Sequence, residues 1–269
     1  MRSRVLWLIL RLPYARRLAW RRGILARLLG PLIGRGTVQV LGHGPSTRLL
    51  LDSATIDPAG AQALAVMTGW HETQVQEALM RSAAGGDAVW DVGANIGFIS
   101  LVAARIVGPE GRVVAIEPDP ACARAVRRNA SLNHMGQIHV VEVAAGAGSG
   151  ETELIVTDDR LWSRLATVGE HEREAQRLPV AVLALDELEG RPPAVVKIDV
   201  EGAELDVIAG MRRTLREVRP LVICEMHGRN AEFCDLMTSL RYSVVNLDGP
   251  TPVREAADNV HAFCVPSGQ

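Results

Sequence analysis

Three stretches of this 269-residue chain hold residue types and spacings suited to chemistry. The first is Val89-Trp90-Asp91-Val92-Gly93-Ala94-Asn95-Ile96-Gly97-Phe98, an apolar run that passes through an acid into a glycine-rich turn. Gly93 and Gly97 let the backbone turn sharply and approach a ligand with no Cβ in the way. The second is Val113-Val114-Ala115-Ile116-Glu117-Pro118, whose acid falls 24 residues after Gly93. A carboxylate so placed can accept both hydroxyls of a ribose. The third gathers Lys197, Asp199, Glu201 and Glu204 behind one apolar run and Glu225 with His227 behind another. Residues two apart on a strand share a face, so Lys197 with Asp199, and Glu225 with His227, can point into one cleft.

A glycine turn followed by an acid also fits a nicotinamide dinucleotide. Two details favour S-adenosylmethionine (SAM). The turn reads Gly-x-Asn-x-Gly, which does not reproduce the pyrophosphate cradle. Asp91, beside the turn, suits an ammonium group and would repel a diphosphate. The expected cofactor contacts are Asp91, Gly93, Ala94, Asn95, Gly97, Glu117 and Pro118. Ala144, of the Ala144-Ala145 pair, is added where an adenine would pass. Asn129 and Asn133 read as surface or capping residues.

Methyl transfer from a sulfonium depends mainly on alignment and desolvation, and an alcohol acceptor also benefits from a base. The expected catalytic group is Asp199, Lys197, Glu201, Glu225 and His227. Asp199 positions the acceptor hydroxyl or the cofactor's amino group, Lys197 holds the carboxylates, and His227 or Glu225 is the base. The lone lysine among 29 basic residues is Lys197, which suggests a need for a compact ammonium. Asp199, Glu201 and Glu225 offer oxygens of the kind Mg²⁺ accepts, but no spacing demands a metal, and none is expected. His71 and Glu72 are placed at the cleft entrance and Asp186 at a helix cap. His134, His139 and His171 read as surface residues.

The elements that must hold these residues alternate. Apolar runs at 89–92, 113–116, 138–143, 194–198, 221–225, 242–247 and 261–265 read as strands, and 97–107, 119–133, 203–216 and 229–240 as helices. The expected fold is α/β, a mostly parallel, doubly wound sheet with helices on both faces. Ligands of such sheets sit at the carboxyl ends of the strands, where all three stretches fall. Residues 37–86 read as a preface: a hairpin (37–41 with 48–52) and two helices (59–67 and 71–84). Residues 87–269 are the expected catalytic domain, with an insertion at 150–190. In it Arg160, Trp162, Arg164 and His171 could meet an acceptor.

The sequence resembles the FkbM family of methyltransferases over about residues 66–227. The resemblance rests on Gly69-Trp70-His71-Glu72, Asp91-Val92-Gly93-Ala94-Asn95-Ile96-Gly97, Glu117-Pro118 and Leu185-Asp186-Glu187-Leu188. Above all it rests on Lys197-Ile198-Asp199-Val200-Glu201-Gly202-Ala203-Glu204. It implies SAM as cofactor, a Rossmann-like class I core of seven strands, and O-methylation of natural products, glycans or glycolipids. An N-methyltransferase of the same fold and an NAD-dependent oxidoreductase stay as alternatives, as does a non-catalytic binding module. The latter two are disfavoured by the intact motifs and the form of the turn.

Composition bounds the partners. Nine arginines and no acid lie in residues 1–36, leaving 20 basic against 31 acidic residues beyond them. An acidic body argues against nucleic acid. The basic leader suits peripheral contact with an anionic membrane through residues 1–35, and its longest apolar run is too short to span. The four dispersed cysteines fit a reducing compartment, so the expected location is cytoplasmic, at most peripheral at the inner membrane surface.

Overall fold

A computed structural model describes residues 36–40, 42, 44–55, 61–156, 164–165 and 176–268. The basic leader falls outside them, as do Arg160, Trp162, His171 and the side chain of Arg164. No helix among the described residues is long and apolar enough to cross a membrane.

The chain opens with a hairpin of β1 (Thr37–Gln39) and β2 (Leu50–Asp52), then α1 (Ala61–Thr68) and α2 (Thr73–Ser82). There follow β3 (Ala88–Val92), α3 (Phe98–Val107), β4 (Arg112–Ile116), α4 (Pro120–Leu132) and β5 (Ile138–Val141). Four strands come next: β6 (Ala144–Ala145), β7 (Gly150–Val156), β8 (Arg164–Leu165) and β9 (Gln176–Leu183). The chain ends with β10 (Val195–Ile198), α5 (Glu204–Gly210), α6 (Arg212–Glu217), β11 (Leu221–Met226), α7 (Asn230–Ser239), β12 (Tyr242–Asn246) and β13 (Val260–Pro266).

Seven strands form one sheet in the order β12-β13-β11-β10-β3-β4-β5, with only β13 antiparallel to its neighbours. All seven expected strands are in it, and the fold is the class I methyltransferase α/β arrangement. Successive strands run one way from β3 through β4 and β5, and the other way from β10. The order therefore reverses between β3 and β10, where a crevice opens at the strands' carboxyl ends. Strands β3 and β10 are buried throughout, as expected of a parallel sheet covered on both faces.

Alternation splits each strand between two cores. Val89, Val113, Val195 and Ile223 pack with α3 and with Val75 and Leu79 of α2. Trp90, Val114, Val196 and Val222 pack on the other face with Val207, Leu215 and Phe233. The preface thus shares the first core. Asp91 and Lys197 lie on that same face, directly opposite each other in the β3–β10 register.

Three local expectations differ from the structure. Residues 203–216 form two helices that part at Met211 (φ −125°, ψ 24°), and Gly210 at the end of the first lets it abut a neighbouring turn: a Cβ there would lie 1.9 Å from the Gly146 carbonyl oxygen. Asp186 caps the second of them, accepting the backbone N–H groups of Arg213 and Thr214 at 2.7 and 2.8 Å. The insertion joins Ala144–Ala145 in a separate sheet of order β6-β9-β7-β8. Asn133 caps the C-terminus of α4 as expected, whereas Asn129 is fully buried, and both clamp β2 to α4. Asn129 Oδ1 accepts the Asp52 N–H at 2.9 Å, and its Nδ2 donates to the Ile96 carbonyl at 2.9 Å. Asn133 bonds both backbone groups of Leu50, at 2.9 and 2.7 Å. The Asn133 amide imitates a neighbouring strand, and the Asn129 amide bridges β2 to the turn after β3, arrangements invisible to local periodicity.

Candidate active site

The turn after β3 is tied to β4. The N–H groups of Gly93 and Ala94 donate to the Ile116 carbonyl at 2.9 and 3.1 Å. Gly93 has φ 78°, and a Cβ on it would lie 1.7 Å from the Asp199 carbonyl oxygen. Gly97 has φ 84°, and its Cβ would stand 3.0 Å from Val126 Cγ1 of α4. Both glycines therefore make room for the protein's own chain, where the sequence suggested room for a ligand. That contact brings the Gly93 turn against the loop carrying Asp199.

Glu117 is 7% exposed, and its carboxylate bridges two turns. Oε2 accepts the Asn95 N–H at 2.7 Å and Oε1 accepts the Asp119 N–H at 2.9 Å. Each oxygen keeps a lone pair for a further donor. Burial pushes the carboxyl up to about 7 despite those two bonds. Asp119 in turn caps α4, accepting the Ala121 N–H at 2.7 Å ahead of Pro120.

Asp91 is fully buried. Its Oδ2 accepts from Ser100 Oγ at 2.5 Å, and Oδ1 lies 3.7 Å from Lys197 Nζ with no hydrogen-bond partner. Burial raises its pKa against the opposing pull of Lys197 and Ser100. Lys197 is 4% exposed and donates to Asp199 Oδ2 at 3.2 Å and to the Gly93 carbonyl at 3.4 Å. Burial disfavours this ammonium, but Asp199, Glu72, Asp91 and Glu225 outweigh it and hold the pKa above the usual lysine value. The lysine therefore ties the ends of β3 and β10.

Beyond β10 and β11 the acids converge on His227. Its Nδ1 lies 2.8 Å from Glu204 Oε1, while Nε2 faces Glu201 at 3.5 Å, Glu225 at 3.8 Å and Asp199 at 3.9 Å. Burial opposes the imidazolium, but Glu204, Glu201 and Asp199 prevail and raise His227 to about 9. Burial also lifts Glu201 to about 6 and raises Asp199. All five residues expected for catalysis thus come together.

Four further residues enter this cluster. Glu204 is 3% exposed and orients His227, although the sequence offered a helix-start reading for it. His71 and Glu72, expected at the entrance, are largely buried, with His71 Nε2 2.8 Å from Glu72 Oε1. Burial pushes Glu72 up, but the charges of His71 and Lys197 hold it well below the usual carboxylate range. His261 was missed because it lies on the last strand. Only the antiparallel course of β13 brings that strand's start to the carboxyl edge, opposite Glu225. Ala144 takes another course, packing with Leu154, Val156 and Val180 in the small sheet.

These residues suit SAM: a buried acid with spare lone pairs for a ribose, a second acid at the Gly93 turn, and beyond it a cluster of carboxylates around an imidazole. Comparison with known proteins agrees. The methyltransferase FkbM domain model matches residues 91–248, so the match runs on past the end of the resemblance near residue 227 and leaves out Gly69–Glu72. The hexuronic acid methyltransferase AglP of Haloferax volcanii is 32% identical over 162 residues, covering 58% of this chain and 63% of that protein. Methyltransferase 1 of Beauveria bassiana is 25% identical over 173 residues, 56% of this chain and 68% of that one. A crystal structure of methyltransferase FkbM from Methylobacillus flagellatus has a TM-score of 0.46 at 20% identity, covering 76% of this chain and 54% of its own. The chain thus spans less than two thirds of AglP and about half of the Methylobacillus protein. With well over half its length matched by the family model, the chain belongs to the FkbM methyltransferase family.

Proposed function

We propose that this chain is a SAM-dependent O-methyltransferase acting on a hydroxyl of a saccharide or small molecule. The observation that carries the reading is the abutment of two clusters: the Asp91–Gly93 and Glu117 turns on one side of the switch point, and the Asp199, Glu225 and His227 cluster on the other. Glu117 would accept the ribose hydroxyls. Asp91 and the turn from Gly93 to Gly97 would hold the amino-acid end, with Ala94, Asn95 and Pro118 lining the site. When bound, SAM supplies an electrophilic methyl group on a sulfonium.

This chain's own residues would do the rest. Asp199 positions the acceptor hydroxyl. His227, with Nδ1 fixed by Glu204, presents Nε2 to take the proton, a carboxylate–imidazole pairing that holds the ring in one orientation. Glu201 and Glu225 stabilise the imidazolium that results, and Lys197 holds Asp199 and Asp91 apart from each other's charge. His227 takes the proton in its neutral form, which its raised pKa of about 9 populates only at alkaline pH unless the positive charge of bound SAM lowers it. A neutral hydroxyl suits so acidic a site better than another carboxylate, and the relationship to AglP, a hexuronic acid methyltransferase, favours a sugar.

Calorimetric titration with SAM, with NAD in parallel, tests the cofactor. Micromolar SAM affinity and no NAD affinity are expected, and binding of NAD alone would overturn the reading. Transfer of labelled methyl to hydroxylated sugars tests the chemistry. Asp199→Asn should bind SAM yet lose turnover, and a fully active variant would sink the assignment.

A further inference from the structure

Glu225 and His261 stand opposite each other in the β11–β13 register, so their side chains share one face of the sheet. Asp248 holds His261 from outside: its Oδ2 accepts the His261 backbone N–H at 2.6 Å and lies 2.9 Å from Nδ1. That contact assigns the Nδ1 proton to Asp248 and turns Nε2 inward, to 3.6 Å from Glu225 Oε2. The third member, Glu72, comes from the other end of the chain. It has φ 46° just before α2, and its Oε1 is engaged by His71 at 2.8 Å.

Two atoms in this group are orphaned. Glu72 Oε2 and His261 Nε2 are completely buried and have no hydrogen-bond partner, on side chains only 11% and 12% exposed. An imidazolium N–H would need an acceptor within about 3.2 Å, and Glu225 stands beyond that reach. A neutral Nε2 would instead aim its lone pair at carboxylates. Neither state is satisfied by the protein, and leaving such atoms bare in the interior is costly. Lys197 does not fill the gap, since its ammonium contacts Asp199 and Asp91.

We propose that Glu72, Glu225 and His261 bind one divalent transition-metal ion. The donor atoms these residues offer lie within 4.8 Å of one another. Bonds of roughly 2.1 Å need the side chains drawn in by only a fraction of an ångström to about one ångström. One imidazole with two carboxylates selects the Mn²⁺ or Zn²⁺ class over Ca²⁺. Asp248 on His261 and His71 on Glu72 are the outer partners that fix ligand orientation in metal sites. The neighbouring trio Asp199, Glu201 and His227 is also close enough to hold an ion, but Lys197 already contacts Asp199 and none of the trio's side-chain atoms is both buried and unpartnered. The ion would join the segment before α2 to β11 and β13, and so fix Glu225 beside His227.

The test uses the full chain, stripped with chelator and titrated with Mn²⁺ while the free-ion electron paramagnetic resonance signal is followed. No methyl donor or acceptor is present, so the outcome is independent of the methyl-transfer reading. One Mn²⁺ per chain with micromolar affinity is expected, weakened at least about tenfold by Glu72→Gln and by His261→Gln. Pulsed resonance on the unmodified protein, which depends on no variant folding, should show coupling to one histidine nitrogen. The proposal is overturned by folded protein that binds neither Mn²⁺ nor Zn²⁺ at about 1 mM, a hundredfold or more above that affinity. It is equally overturned by bound Mn²⁺ without nitrogen coupling, or by binding that survives both substitutions and is lost in Glu201→Gln and His227→Gln.

Discussion

Replacing Glu117 by glutamine should separate stability from cofactor binding: as pH rises the variant gains stability relative to the unmodified protein while its SAM affinity falls behind. Folding buries this carboxyl and raises it from 4.5 to about 7, even though it receives two backbone N–H groups. An acid whose pKa is higher in the folded state favours folding only while protonated. Its contribution is full below pH 4.5, falls as pH rises toward 7, and is gone above that. The lost stability amounts to about 3 kcal/mol, from roughly 1.4 kcal/mol per pH step across this interval. Glutamine keeps the shape and does not titrate, but its NH2 cannot accept, so one of the two backbone N–H groups loses its acceptor at every pH. The variant should therefore be less stable than the unmodified protein near pH 4.5 and gain about 2–3 kcal/mol on it between pH 4.5 and pH 8.

Denaturant unfolding of both proteins, without cofactor and at several pH values across that range, reads the difference directly. Every other titrating group is common to the two and cancels. SAM affinity should fall meanwhile, because two hydroxyl bonds to a charged acceptor become bonds to a neutral amide. A loss of about 1.5–3 kcal/mol corresponds to roughly 10- to 150-fold weaker binding at pH 8. A stability difference that does not change with pH would refute the account of burial at Glu117. Unchanged SAM affinity would refute the ribose role.

Two other perturbations probe the remaining supports. Glu204→Gln keeps the shape beside His227 Nδ1 but removes the charge that favours the imidazolium; kcat should fall about 10²- to 10⁴-fold with KM little changed, and an unaltered kcat would show that the imidazole needs no orienting carboxylate. Asn129→Ala strips buried bonds to Asp52 and Ile96; it should destabilise the protein by about 2–4 kcal/mol, or roughly 5–15 °C in Tm, and an unchanged Tm would show that this clamp carries no stability.

What the sequence made legible follows from the range of the forces involved. The seven strands of the main sheet are short, largely apolar runs bounded by polar turns, so each announces itself within a few residues. The pairs Lys197–Asp199 and Glu225–His227 were readable for the same reason, because alternation along one strand decides which side chains share a face. Contacts that depend on where the chain returns were not readable. Glu204 looks like any acid at a helix start until His227 lies 2.8 Å away. Asn129 looks like a surface residue until β2 is laid along it.

His261 is the sharper case, since the strand holding it was located correctly and its relevance was not. In a parallel sheet a residue near the start of a strand faces away from the crevice. In β13 the direction is reversed, so the start of the strand meets the ends of β10 and β11. A single reversed strand therefore carries its first residues into the site, and Glu72 enters the same cluster from a segment that precedes the family match. The residues that follow the parallel strands, Asp199, Glu201 and His227, therefore under-describe this site. The unsatisfied atoms of Glu72 and His261 belong to the segments that close over those strands.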